Sequence, residues 1–155
     1  MKRALDIRLD KAFKGLLVGE RMKKVYVDTN VFIDYHNNSH DSLRPLGLFA
    51  FECFSRGWNC SFTLVVSSWV RKEAVNHISF EEYEEVLSEF RQVGKLHEVS
   101  YSDAEFTKSR TYTHANDALH ALIALREGCD AIVTRNREDF ACFADTIDIL
   151  YPESV

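Results

Sequence analysis

The stretch 24–34, KVYVDTNVFID, joins a short strand pattern to the start of a helix. The run Lys24–Val27 is rich in β-branched and aromatic residues, as is typical of a buried strand. Asp28 ends this run, and the Thr-Asn pair that follows has turn or helix-capping chemistry ahead of an apolar helix pattern from Val31. The stretch therefore predicts a strand that passes directly into a helix, with a carboxylate at the junction.

The alternation of strand and helix patterns continues through the rest of the chain. Further strands are predicted at 61–66, 96–99, 131–134 and 147–150, and helices at 46–54 with a stop at Gly57, 69–77, 80–93 and 118–125, the last capped by Asn116 and Asp117. Strands that alternate with helices favour βαβ units with right-handed crossovers. The sequence therefore predicts an α/β fold around a mainly parallel sheet.

Length and composition fit one globular domain. The chain has 155 residues, of which 46% are hydrophobic, and this is enough to build a core without metal or disulfide staples. No apolar run reaches the roughly 18–20 residues that span a bilayer, and no secretory signal pattern is present, so we expect a cytoplasmic protein with no membrane contact. The four cysteines show no C-x-x-C spacing, which argues against a zinc ribbon.

The charge is unevenly distributed along the chain. The net charge is −5, yet residues 1–24 contain eight Lys/Arg and only three acids. We interpret residues 1–21 as a basic N-terminal extension, helical if its leucines share one face, and residues 22–155 as a single domain. The extension could pack on the body or on a partner, touch RNA phosphates, or reflect a misplaced start codon.

Acidic and amide side chains fall where the predicted strands end. Asp28 follows the first strand, Glu73 lies one helical turn beyond the second, Asp117 begins a helix, and Asn136 and Asp139 follow the strand at 131–134. The carboxyl ends of parallel strands meet at one edge of a sheet, which is where ligands bind in such folds. Oxygen ligands of this kind suit Mg²⁺ or Mn²⁺, although each acid could instead cap a helix or lie on a solvated face.

Three motifs in order carry a resemblance to a known family. The segments 28–34 (DTNVFID), 116–124 (NDALHALIA) and 132–140 (IVTRNREDF) resemble the opening, central and closing motifs of PIN-domain ribonucleases. The compact length most resembles the VapC-type toxins of toxin–antitoxin modules. The resemblance implies a three-layer α/β/α sandwich with a central, mainly parallel sheet of about five strands.

The resemblance also implies a Mg²⁺- or Mn²⁺-dependent endoribonuclease. The positions that match the family's catalytic and metal-binding acids are Asp28, Glu73 and Asp117, with Asn136 standing where many members have an acid and Asp139 as a possible replacement; Asn30 and Thr134 match supporting polar positions. The implied partners are an RNA substrate, a cognate antitoxin and a second copy of the chain in a homodimer.

The same residues are compatible with other functions. A PIN-like module without turnover, which binds RNA or assembles with a partner, is kept open by Asn136, and a PIN nuclease of RNA processing would share all three motifs. A phosphohydrolase of the haloacid-dehalogenase type also begins with an aspartate after its first strand, but it needs a second aspartate where this chain has Asn30. For His120, three residues after Asp117, a packing or rim role is favoured over a role in the site.

Overall fold

A five-stranded parallel sheet forms the centre of the part of the chain that the structure describes, residues 21–39, 41 and 43–155. The structure is a computed structural model. The strands are β1 (Lys24–Val27), β2 (Thr63–Ser67), β3 (Leu96–Val99), β4 (Ala131–Val133) and β5 (Asp148–Leu150). Their order in the sheet is β3-β2-β1-β4-β5. The first strand along the chain therefore lies at the centre of the sheet, between β2 and β4.

All four strand pairings are parallel, so the strands end at the same edge. Val27, the last residue of β1, is paired with Val133, the last residue of β4. This register brings the residues that directly follow the two strands, Asp28 and Thr134, next to each other. From β1 the chain adds β2 and β3 on one side of the sheet and then β4 and β5 on the other, so the strand order reverses at β1. Ligands bind at such a reversal point in open α/β sheets.

The described helices are six α-helices and two short 3₁₀ helices. They are α1 (Thr29–Asn37), α2 (Leu46–Trp58), α3 (Ser68–Ala74), α4 (Phe80–Gln92), α5 (Asp103–Ser109) and α6 (Ala115–Arg126), with 3₁₀ turns at Arg137–Phe143 and Pro152–Ser154. Helices α1 to α4 contact one another, whereas α6 packs against α5 and against β2 and β4. The predicted three-layer α/β/α sandwich is confirmed.

The core lies between the central strands and the helices on both sides. Its largest fully buried side chains include Tyr26 on β1, Phe32 on α1, Leu64 on β2, Leu119 on α6 and Ile132 on β4. The central strands are buried on both faces, which explains why their sequences are continuous apolar runs rather than alternating apolar and polar residues. Such burial fixes the strands firmly, and with them the residues at their ends.

Several boundaries differ from the sequence prediction. Helix α5 was not predicted, although Ser102 and Glu105 form a capping box at its start. Helix α6 begins at Ala115 with His114 as its N-cap, so the prediction that Asn116 and Asp117 cap this helix was wrong; both lie in its first turn. Helix α2 continues past Gly57 to Trp58.

The predicted N-terminal extension, residues 1–21, lies outside the described residues except for Arg21. The guanidinium of Arg21 pairs with the carboxylate of Asp130 at 2.7 Å, just before β4. The division into an extension and a domain at 22–155 stays a prediction. Among the described residues, no helix is long and apolar enough to cross a membrane.

Candidate active site

Asp28 is held at the end of β1 by donors on both of its oxygens. It is the N-cap of α1, and its Oδ1 accepts from the backbone N–H of Thr29 at 2.7 Å. Its Oδ2 accepts from the Asn30 amide at 2.9 Å and from the Thr134 hydroxyl at 2.8 Å. Burial raises the pKa of Asp28, and the nearby Glu73 adds to the rise, while His120 and Thr134 oppose it. The result is an aspartate with a fixed orientation and a raised pKa.

Asn30 and Thr134, the predicted supporting residues, both contact Asp28 and also contact each other. The Asn30 amide donates to the Thr134 hydroxyl at 3.2 Å, and its carbonyl accepts from the backbone N–H of Arg135 at 3.3 Å. These bonds tie the first turn of α1 to the loop after β4. Asp34 on α1 is 1% exposed and pairs with the Arg135 guanidinium, which is a further contact between α1 and the same loop.

Glu73 reaches the same place from α3. Helix α3 begins at Ser67, whose side chain accepts from the backbone N–H of Val70. The Oε2 of Glu73 accepts from the Thr29 hydroxyl at 2.6 Å and from His120 Nε2 at 2.8 Å. Burial raises the pKa of Glu73, but the bonds from His120 and Thr29 outweigh it and hold the pKa below its ordinary value. Glu73 is therefore an ionised acceptor beside Asp28.

His120 lies between these two carboxylates and is 1% exposed. Besides Glu73, its Nε2 lies 3.4 Å from an oxygen of Asp28, and its Nδ1 lies 2.8 Å from the Tyr26 hydroxyl. Burial lowers the pKa of His120, but the hydrogen bond that it donates to Glu73 and the charge of Asp28 outweigh this effect, so the pKa is raised. Sequence reasoning underestimated this residue, and its only signal was the spacing of three from Asp117, which puts both on one side of α6.

Asp117 lies on the outer side of this cluster, in the first turn of α6. Ligand atoms of His114, Asp117 and Asp139 all lie within 4.8 Å of one another, and His114 Nδ1 is 3.7 Å from an oxygen of Asp139. Burial, followed by the negative charge of Asp28, raises the pKa of Asp117 to about 6. The charge of Asp28 thus contributes to the raised pKa of Asp117, in addition to burial.

Asn136 does not take a comparable place in the structure. Its side chain is exposed, and its backbone N–H donates to the Thr134 hydroxyl at 3.1 Å. Asp139, three residues on in the 3₁₀ helix, is the carboxylate that reaches Asp117. The structure therefore groups Asp28 with Glu73, and Asp117 with Asp139, and leaves Asn136 exposed.

A cleft of about 430 Å³ opens beside the outer acids. It is lined by the loop between α5 and α6 and by the 3₁₀ helix, including Thr111, Tyr112, Thr113, His114, Glu138 and Asp139. Tyr112 is held by its ring contact with Phe143, at 5.1 Å between centroids. An aromatic ring, two hydroxyls and an imidazole thus border the acids on the solvent side.

The donor set fits a hard divalent cation. Two of the acids, Asp28 and Glu73, form one group of ligand atoms, and Asp117 and Asp139 belong to a second. The pKa of Asp28 and of Asp117 is raised in part by neighbouring negative charge. Mg²⁺ and Mn²⁺ prefer oxygen ligands, and a cation in this position would relieve the repulsion between the acids.

Comparison with known proteins agrees with this architecture. Residues 25–145 match the PIN domain family. Eight chains of solved structures match the fold; one is from the crystal structure of VapBC2 from Rickettsia felis bound to a DNA fragment from their promoter. That chain is 20% identical with a TM-score of 0.52, and the alignment covers 83% of this chain and 98% of that one. No curated protein matches the sequence. With four fifths of its length inside the family match, the chain belongs to the PIN domain family.

Proposed function

We propose that the protein is a metal-dependent endoribonuclease whose site is the acidic cluster at the ends of β1, β4 and the following helices. The observation that carries the proposal is a pair of neighbouring acidic groups, Asp28 with Glu73 and Asp117 with Asp139, supplied by four separate elements. Within the described residues their direct side-chain partners include histidines but no Lys or Arg. A purely structural cluster would be expected to neutralise such acids with basic side chains.

The four carboxylates would hold Mg²⁺ or Mn²⁺, with Asn136 as a neutral ligand at most. A cation bound there supplies an activated water and polarises the phosphodiester. The protein's own part is to fix the carboxylates: Thr29, Asn30 and Thr134 hold the oxygens of Asp28 and Glu73 through hydrogen bonds. Hydrogen bonds of this kind, from residues around a metal site to the side chains that bind the metal, orient those side chains and are typical of metal sites.

The cleft beside the outer acids supports a single-stranded RNA substrate. Proteins recognise unpaired RNA by stacking bases on aromatic or imidazole rings and by bonding their edges. Tyr112 and His114 supply the rings, and Thr111 and Thr113 supply hydroxyls, next to Asp139. A base seated there would bring its neighbouring phosphate to the acids.

We further propose that the protein is the toxin of a toxin–antitoxin pair and forms a homodimer. Support comes from the fold shared with the Rickettsia felis protein, and from the exposed apolar side chains of Leu43, before α2, and of Leu48 and Phe51 on it. The segment 46–54, considered as a docking surface, is partly core, since Ala50, Cys53 and Phe54 are buried; Leu48 and Phe51 remain 49% exposed. These two side chains are the part of α2 available to an antitoxin or a second copy.

The test is cleavage of an end-labelled RNA panel by pure protein with Mg²⁺, with Mn²⁺ and with EDTA, beside Asp28→Asn. The expected result is a set of metal-dependent cuts that EDTA and the substitution both remove. Cuts that persist in Asp28→Asn would indicate a contaminating nuclease or another site.

A second candidate is a PIN-like module without turnover. It is favoured by one observation, the exposed amide of Asn136 where many members of the family have an acid. Retained RNA binding without cleavage under any metal, from folded protein free of a partner, would favour this candidate.

A further inference from the structure

A buried chain of hydrogen bonds ends on Glu73 and starts at the N-cap of α3. Ser67 Oγ lies 2.6 Å from the Tyr26 hydroxyl, which lies 2.8 Å from His120 Nδ1. His120 Nε2 completes the chain at 2.8 Å from Glu73 Oε2. Ser67, Tyr26 and His120 are each 2% exposed or less. The chain connects β2, β1, α6 and α3 through the interior of the protein.

We propose that His120 is a positioning residue that holds Glu73 through its Nε2–H, and that it does not bind the metal, although it lies between two of the proposed ligands. The proposal rests on the proposed metal site. It assigns Oε1 of Glu73 to the cation, because Oε2 already accepts from His120 and from the Thr29 hydroxyl.

The assignment follows from the donors along the chain. Ser67 Oγ accepts from the Val70 backbone N–H, so its own hydrogen is available to the Tyr26 oxygen. The Tyr26 hydrogen can then go to Nδ1 of His120, which leaves the ring hydrogen on Nε2, aimed at Glu73. A ring with hydrogens on both nitrogens would still carry one on Nε2. A ring with its hydrogen on Nδ1 alone would instead set the lone pair of Nε2 against a carboxylate oxygen of Glu73 at 2.8 Å, which is repulsive. In the two forms that remain, Nε2 has no lone pair for a metal ion.

Position alone would suggest the opposite role. Ligand atoms of Asp28, Glu73 and His120 lie within 4.8 Å of one another, which is compatible with a three-ligand site. A metal bound by Nε2 would have to displace the hydrogen bond to Glu73. The His120 ring would then keep only its bond to the Tyr26 hydroxyl, on Nδ1. The proposal instead places the cation on the side of Asp117 and Asp139, with His120 behind Glu73.

The first experiment is ¹⁵N NMR of protein labelled at histidine, recorded without and with saturating Mg²⁺. The expected result is a His120 Nε2 that keeps its directly bonded hydrogen in both spectra. Loss of that hydrogen on Mg²⁺ addition, with a metal-bound nitrogen shift, would overturn the proposal.

The second experiment measures Mn²⁺ affinity by titration calorimetry, which requires no RNA and no turnover. Tyr26→Phe removes only a hydroxyl from the chain, and His120→Leu removes the donor to Glu73. Both are expected to weaken Mn²⁺ binding by about 10- to 100-fold, as losses of orienting partners do. His120→Gln, whose amide can still donate to Glu73, is expected to recover part of the affinity.

The matched control is Tyr83→Phe, because Tyr83 is as buried as Tyr26 and packs on Phe32, but takes no part in the hydrogen bonds that lead to Glu73. It should bind Mn²⁺ as the unaltered protein does. Equal affinity in Tyr26→Phe, His120→Leu and the control, with all three folded, would overturn the positioning role. Intact Mn²⁺ binding and the expected variant pattern without RNA cleavage would count against the nuclease alone.

Discussion

The Thr134 hydroxyl donates to Oδ2 of Asp28 across 2.8 Å and so joins the end of β4 to the end of β1. The same hydroxyl oxygen accepts from the backbone N–H of Asn136, which starts the turn that carries Asp139. One side chain therefore sets both the orientation of the inner aspartate and the path of the loop that supplies an outer one. The inner and outer halves of the site are mechanically connected through Thr134.

Thr134→Val is expected to reduce RNA cleavage by about 10- to 100-fold, because Asp28 loses a donor and the turn after β4 loses an acceptor. Valine has nearly the same shape, so the fold should survive, at a cost of about 1–3 kcal/mol for the buried polar groups left without this bond. Cleavage rates at limiting Mg²⁺ and urea denaturation measure the two effects. Thr63→Val, on β2 outside the site, is the control; equal rates in both variants would contradict the role of the bond.

Asp117→Asn is expected to abolish cleavage while making the metal-free protein more stable. Burial and the charge of Asp28 raise the pKa of Asp117 to about 6, which means that its ionised form is held at a cost. Removing the charge should add about 1 kcal/mol to the free energy of unfolding at pH 7, a value reduced for solvent screening at a half-buried group. A lower free energy of unfolding for Asp117→Asn than for the unaltered protein, both in EDTA, would contradict this account.

Asp28→Asn should also abolish cleavage and should keep its fold.

The stability difference between the unaltered protein and Asp117→Asn should depend on pH. The carboxyl of Asp117 has a higher pKa folded, about 6, than unfolded, near 3.8, so the folded state takes up a proton over this interval. Stability of the unaltered protein relative to the variant should therefore fall as pH rises from about 4 to 6, and level off above. Denaturation in EDTA across this range measures the effect, and saturating Mg²⁺ should reduce it.

Strands β1, β2 and β4 could be predicted from sequence because each is a short run of mainly β-branched and aromatic or aliphatic residues that stops at a polar side chain. Their order could not, because the pairing of β1 with both β2 and β4 depends on contacts between segments more than 30 residues apart. Helix α5 was missed since it has seven residues and a weak apolar pattern, even though Ser102 and Glu105 gave a capping signal.

The acids of the candidate site could be proposed from their positions after strands, but their partners could not. A lone histidine on an apolar helix is more often a core residue than a functional one, and nothing local to His120 reveals the Tyr26 and Glu73 side chains that meet it. The role of Asn136 as a ligand stays a prediction for a similar reason. Only the three-dimensional path of the 3₁₀ helix shows that Asp139 reaches Asp117.

Gly57→Ala is expected to destabilise the protein by about 1–3 kcal/mol through overpacking. Gly57 lies inside α2, and a Cβ there would meet Cε1 of Phe90 at 2.3 Å. The glycine thus permits close contact between α2 and α4, rather than ending the helix as the sequence suggested. Urea denaturation measures the loss, and Ser55→Ala, two residues earlier on the same helix, should stay within about 0.5 kcal/mol. A neutral Gly57→Ala would show that the contact with Phe90 yields easily.

Exchanging the roles of positions 136 and 139 tests which one completes the metal site. Asp139→Asn should weaken cleavage at limiting Mg²⁺ by about 10- to 100-fold, since it removes a carboxylate that lies within 4.8 Å of Asp117. Asn136→Asp alone should change the metal requirement little, because the side chain at 136 points to solvent at the rim. The double variant, with both Asn136→Asp and Asp139→Asn, tests whether an acid at position 136 can replace the one at 139. If it can, the double variant will be more active than Asp139→Asn, as measured by Mg²⁺ titrations of the cleavage rate. Full activity in Asp139→Asn would remove Asp139 from the site and make Asn136, with its carbonyl oxygen, the better candidate for the outer ligand.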